Sequence, residues 1–281
     1  GIYVIGSELI GLIPLEAICV CGRYYRQKTG KSPGLSDEEL VELAVQTLGL
    51  RSVQPFEPEK KIIEWAIRKE GALVSKKVSS FVDTVSSDSP APGGGSVAAL
   101  AGALGSALAA MDANLTVGKK GYEGVSETLS TLGIKAQRLK NDLLEIVDED
   151  TAAFNAVMDA MRLPRSTDAE RIARDLEIEK ANKLAAGVPL KTARFCLEAM
   201  RLCLEAVETG NLNSVTDAAT GCLMAWAGLS GAVLNVRTNI KTLSDEQFAC
   251  TASKECDSLE IEATQLRQDL EKSIPSILGL R

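Results

Sequence analysis

The sequence predicts a mainly α protein, an all-helical bundle preceded by a small α/β unit. Three observations carry that reading. From Ser75 to the C-terminus no run shows convincing strand alternation, whereas apolar residues recur at helical spacing. Aromatic residues make up only 4% of the chain while Ala, Leu, Gly and Ser abound, which favours closely packed helices over a sandwich or barrel. Pro164, Pro189 and the Gly210–Asn211 pair punctuate the periodic segments as helix ends do.

Taken in chain order, "IYVIGSELIGLI" (2–13) is β-rich, and Gly6 and Gly11 suggest a bulge or close backbone approach. Pro14 opens a helix through about Lys28, since proline is tolerated in a first turn. "TGKSPGL" is a loop. Ser36 followed by Glu39 is a capping-box signal, so a helix runs from Asp37 to about Leu48 and stops at Gly49. "EKKIIEWAI", behind Pro58, is a short amphipathic segment able to dock one unit on the next, and "KKVSSFVDTVSS" is a short helix. After the turn "DSPAPGGG", helices are expected at 96–117, 121–161, 167–185, 189–208, 211–231, 233–241 and 244–276. The chain then divides into a first unit (1–58), a linker (59–78) and a helical unit (79–281).

Of the 281 residues, 45% are hydrophobic and 25% charged, a soluble globular balance. The net charge of −7 leaves no basic stripe for phosphates and argues against nucleic acid as a partner. The chain holds no histidine. That excludes Ser-His and Cys-His nucleophilic sites, histidine bases and zinc sites with histidine ligands. Acid–base chemistry must fall to Asp, Glu, Lys, Tyr or Cys. Seven cysteines with no CxxC pair read as free thiols in a reducing cytoplasm, and no metal site is expected. "VAALAGALGSALAAM", at about 15 residues, falls short of the ~20 a membrane span needs, so no membrane association is expected. Gly1 opens directly into a strand-like run, which reads as a start partway through a longer polypeptide.

In "LLEIVDEDTAAFNAVMDAM", Leu143, Val147, Phe154, Val157 and Met161 form one apolar stripe, and Asp150 completes it. Asp148 lies about 200° further round and only borders the stripe. A carboxylate buried without partners is costly, so Asp150 must be hydrogen-bonded, paired or partly neutral. Two readings stand level: a structural aspartate capping a neighbouring helix, or an acid–base residue whose pKa desolvation has raised.

In "SPAPGGGSVAALAGALGSALAA", Gly93, Gly94 and Gly95 free the backbone and Ser96 can cap the helix that follows. The small residues beyond suit a central helix crossed tightly by its neighbours. A second role is contact between bare backbone N–H groups and a ligand. "NLTVGKKGY" supplies Asn114, Lys119, Lys120 and Tyr122. They suit a flat anionic substrate, although on spacing alone a solvated pair at a helix C-terminus is the stronger reading. Asn235 sits among apolar neighbours and needs a partner if buried.

Together "APGGGSVAALAGALG", "NLTVGKK", "VDEDTAAFNAVMDAMRLP", "GNLNSVTD" and "LNVRTNI" resemble the cyclodeaminase domain of formiminotransferase-cyclodeaminase, a bifunctional folate enzyme of histidine breakdown. The likeness runs in order from about Ser79 to the C-terminus. "GSELIGLIPLEAI" with "LGLRSVQPFEPEKKIIEW" is similar to the last part of that family's formiminotransferase domain and its linker. The resemblance implies a cytoplasmic all-helical unit that dimerises, binds (polyglutamylated) folate at a subunit interface and needs no cofactor beyond tetrahydrofolate as substrate. It implies that Asp150, the second acid of "VDED", is the acid–base residue. Gly93, Gly94, Gly95, Ser96, Asn114, Lys119, Lys120, Tyr122, Asp148 and Asn235 are then expected around the substrate. The implied reaction converts 5-formiminotetrahydrofolate to 5,10-methenyltetrahydrofolate and ammonia, with no transferase activity in a chain lacking histidine. A methenyltetrahydrofolate cyclohydrolase and a non-catalytic helical module are the rivals. Asp112, before "ANLT", and Gly121 depart from the family's pattern.

Overall fold

Ser36 accepts a hydrogen bond from the Glu39 N–H while Glu39 reaches back to the Ser36 backbone, so the expected capping box starts its helix where the sequence places it. The computed structural model describes residues 6–67 and 71–279. Its first unit carries α1 (Leu15–Lys28) and α2 (Asp37–Thr47), then the short helices α3 (Pro58–Lys61) and α4 (Ile63–Ile67). Ile18, Cys19, Leu40, Val41, Ala44, Val45 and Ile62 close a small apolar core between them. Residues 2–5 of the expected strand lie outside the described residues. From 6 to 12 no strand forms, and the extended character survives as one parallel bridge between Ile13 and Ile62. A lone segment with no second strand to pair with cannot build a sheet.

The helical unit holds α5 (Val78–Val85), α6 (Gly94–Thr116), α7 (Ser126–Met161), α8 (Asp168–Thr209), α9 (Val215–Asn239) and α10 (Glu246–Leu278). Three expected breaks are absent or displaced. Gly121 takes a left-handed φ of 92°, so a short turn at Glu123–Val125 precedes α7. Residues 211–214 form a turn, closed by the Ser214 N–H on the Asn211 carbonyl, before α9 begins and then runs unbroken. The third concerns Pro189, which lies inside a continuous α8. Proline has no N–H to donate to the carbonyl four residues back. That carbonyl, on Ala185, instead accepts 2.6 Å from Asn239 Nδ2 of α9. A borrowed donor keeps the helix whole.

Helix α6 is the centre of the bundle, and its small residues allow contact at backbone distance. A Cβ on Gly105 would lie 2.6 Å from the Gly221 carbonyl, and one on Gly228 would lie 2.6 Å from the Ala98 carbonyl. One on Gly102 would meet Cys196 Sγ at 2.5 Å. Cys196, Cys203 and Cys222 are fully buried in this contact, as small apolar residues. The short apolar run quoted above understated this helix. By length and composition Gly94–Thr116 and Val215–Thr242 could each cross a membrane; here each packs against other helices along one side and leaves Val97, Leu104, Met111 and Leu115 of α6 and Leu223 and Leu234 of α9 exposed.

Candidate active site

The lower half of the apolar stripe on α7 does not face a core. Asp150, Ala153, Phe154, Val157 and Met161 form one wall of a cleft of about 320 Å³. Gly93, Gly94 and Gly95 at the start of α6 form the floor, and Asn182 and Ala185 of α8 with Asn235, Asn239 and Thr242 complete it. Asp150 therefore stands in the oily seam because that seam opens into a cavity. A larger hollow of about 630 Å³ lies between α1, α2 and α7, but there Arg23 is already paired with Glu16 at 2.7 Å.

Two features hold Asp150. Gly95 lets α6 approach so closely that a Cβ there would lie 2.1 Å from Asp150 Oδ1. Ser96 Oγ, fully buried, lies 3.1 Å from Asp150 Oδ2, 2.9 Å from the Val147 carbonyl and 3.4 Å from Thr151 Oγ1. Ser96 was expected to cap α6. In fact Gly93 is the cap, no side chain caps the helix, and the Ser96 hydroxyl is turned onto α7.

The geometry fits both protonation states of the carboxyl. When Asp150 is ionised, the Ser96 hydroxyl donates to Oδ2. When Asp150 is neutral, its O–H donates to Ser96 Oγ, whose proton turns to the Val147 carbonyl. Burial pushes the Asp150 pKa up from its ordinary value, and the Ser96 hydroxyl and backbone N–H pull the other way without cancelling it. A carboxyl with raised proton affinity, supported in either state and opening into a cavity, can carry protons during a reaction.

The other expected site residues divide into groups. Asn235 reaches the cleft and donates 2.8 Å to the Gly231 carbonyl of its own helix. Asp148 does not reach it: its carboxylate accepts from the backbone N–H groups of Leu73 at 2.8 Å and Val74 at 3.3 Å, tying the linker to α7. Asn114 also serves structure, donating 2.7 Å to the Gly34 carbonyl of the first unit. Lys119 donates 3.0 Å to Asn211 Oδ1, Lys120 is exposed, and the Tyr122 hydroxyl accepts from the Leu212 N–H. These last four stand at the other end of the 23-residue α6, roughly 33 Å from the cleft at 1.5 Å per residue.

Asn182 and Asn239 were missed. Asn239 had only an indirect signal, since Pro189 requires some donor for the Ala185 carbonyl but does not say which, and Asn182 had none. Asp112, noted as a departure, is fully buried, accepts from the Ser214 hydroxyl and has its pKa pushed up by burial. Its second oxygen has no hydrogen-bond partner among the described residues.

The fold and site together define a class: an all-helical bundle in which a half-buried carboxyl of α7, set against the start of α6, opens into a cleft and is able to carry protons. Known proteins share this chain's pattern. Residues 77–258 match the family model described as formiminotransferase-cyclodeaminase, and residues 1–68 match that of the formiminotransferase domain. The chain belongs to the formiminotransferase-cyclodeaminase family. A methenyltetrahydrofolate cyclohydrolase of Methylorubrum extorquens is 41% identical over 202 residues, 72% of this chain and 97% of that protein. Formimidoyltransferase-cyclodeaminases are 35% identical in Rattus norvegicus, over 87% of this chain and 46% of that protein, and in Dictyostelium discoideum, over 99% and 50%. The chain thus spans about half the length of these bifunctional relatives. The crystal structure of formiminotetrahydrofolate cyclodeaminase from Thermotoga maritima matches 73% of this chain and 98% of that chain, with 29% identity and a TM-score of 0.66.

Proposed function

We propose that the chain is a formimidoyltetrahydrofolate cyclodeaminase, closing 5-formiminotetrahydrofolate to 5,10-methenyltetrahydrofolate with release of ammonia. The observation that carries the reading is the Asp150 carboxyl, held in either protonation state by Ser96 over the cleft. In the protonated substrate the formimino carbon is bonded to N5 and to an NH2 group. N10 attacks that carbon, forming the N10–C bond and leaving a proton on N10. The Asp150 carboxylate takes this proton and delivers it to the NH2 nitrogen. The C–N bond then breaks, ammonia departs, and the N5 lone pair completes the methenyl cation. One carboxyl serves both transfers, a task suited to a raised proton affinity.

The substrate's bicyclic head fits a cleft of this size, at the small end of ligand pockets of roughly 300–1,000 Å³. Its anionic tail would extend beyond. Lys119 and Lys120 of the same chain are too far to meet it. A second copy setting the far end of its α6 against this cleft would bring them there, and self-association is part of the proposal. So are the unit boundaries 1–58, 59–78 and 79–281, the cytoplasmic location, the lack of transferase activity and the absence of any cofactor beyond tetrahydrofolate.

A cyclohydrolase is the second reading, favoured by the 41% identity to the Methylorubrum protein along nearly its whole length. The stretch matching the formiminotransferase domain favours the deaminase. The purified chain is given 5-formiminotetrahydrofolate and, separately, methenyltetrahydrofolate. Growth of methenyl absorbance with equimolar ammonia is expected from the first. Its decay from the second alone, above the uncatalysed rate, would replace the deaminase by the cyclohydrolase.

A further inference from the structure

Three asparagines line the cleft, and they differ in what their amides do. Asn235 donates to the Gly231 carbonyl and Asn239 to the Ala185 carbonyl, so both Nδ2 groups are already engaged in holding helices. Asn182, on α8 one turn before Ala185, is only 7% exposed and makes no side-chain hydrogen bond among the described residues. It lines the cleft together with Ala185 of the same helix. A side-chain amide buried to this degree normally finds a partner, because leaving it unpaired costs about 1–3 kcal/mol. A leucine or alanine would fill the same helix position without that cost.

We infer that Asn182 reads the heterocyclic head of the ligand, pairing its side-by-side donor and acceptor with the 2-amino-4-oxo pyrimidine edge. This rests on the folate reading of the cleft and adds to it a residue that sets which edge enters. A lactam edge presents an N–H beside a carbonyl, and an amide side chain meets both with one group. The apolar wall of Phe154 and Val157 offers no competing hydrogen bond. Asp150 then remains free for the reacting nitrogens.

The test is calorimetric, on the full chain, with tetrahydrofolate and with 6-methyltetrahydropterin, which carries the head without the tail. Asn182→Leu should weaken both by about the same factor, on the order of tenfold, as expected for two lost hydrogen bonds. Asn182→Ala, which removes the amide without adding bulk to the cleft, should weaken both by a similar factor. Unfolding temperatures of the variants report whether the fold survives. If folded Asn182→Leu binds both compounds as the parent does, the amide merely holds water and the inference is overturned while the folate reading stands. If the parent chain binds neither compound, both fall together.

Discussion

Ser96 Oγ stands 3.1 Å from Asp150 Oδ2 across the α6–α7 contact, and the same oxygen lies 2.9 Å from the Val147 carbonyl. One hydroxyl proton cannot satisfy two acceptors at once. It must follow the state of the carboxyl, and that coupling makes the pair measurable.

Replacing Ser96 by alanine removes a group that favours the ionised carboxyl, leaving the burial that opposes it. The proton affinity of Asp150 should rise. The base form needed at the first step is then reached only at higher pH, so the acid limb of the kcat profile moves upward. A drop in kcat of roughly ten- to a hundredfold is expected at neutral pH, with KM little changed. An unmoved acid limb would separate Ser96 from the proton transfer.

Asp150→Asn should cut turnover by about a thousandfold or more and yet stabilise the fold at neutral pH. Burial lifts the folded-state proton affinity of Asp150 above the ordinary 3.8, so folding favours the neutral form. The cost of ionising it is absent below that value and is incurred as pH rises through the folded-state pKa. The variant should therefore melt a few degrees higher than the parent at pH 7, and the gain should vanish in acid. Melting scans at several pH values check the sign.

Gly95→Ala puts a methyl group where Asp150 Oδ1 now lies, since the two would be 2.1 Å apart. The carboxyl must swing away or α6 must shift. A displacement of about 1 Å at the reacting group can cost on the order of a hundredfold in rate. Gly187→Ala is the control, because a Cβ there meets nothing within 4 Å and the residue does not line the cleft. It should keep most of the activity.

Asn239→Leu deprives the Ala185 carbonyl of its donor and should destabilise the chain by about 1–3 kcal/mol. Pro189→Ala restores an N–H able to take that carbonyl within α8. Placed together, the two changes should cost less than Asn239→Leu alone. Denaturant melts of the four proteins give the coupling energy, and strict additivity would show that Asn239 is not what makes Pro189 tolerable.

Part of the candidate site was legible in the sequence, around Asp150, Gly93 to Gly95 and Asn235. Asp150 betrayed itself as the one acid in an otherwise apolar helical stripe, and local periodicity is what sequence displays best. The separation of Lys119, Lys120 and Tyr122 from Asp150 was also implicit. A helix expected over 96–117 already places "GGG" and "GKK" at opposite ends of a rod. What stayed hidden came from elements meeting across long sequence gaps. Nothing near Asn239 says that it serves Ala185, and nothing near Asp148 says that its carboxylate ties down Leu73 and Val74. Pro189 misled for the same reason. A proline's missing donor is a local fact, while its replacement arrives from another helix.

The near-absence of side chains between α6 and α9 also limits how this scaffold can diversify. Where Gly105, Gly221 and Gly228 set main chain against main chain, any enlargement forces the two rods apart, so that seam offers descendants nothing to vary. New ligand preferences must arise from the α8 bank of the cavity, where Asn182 can be exchanged without breaking a hydrogen bond between helices. Drift in specificity should accumulate on that bank while the glycine seam stays frozen.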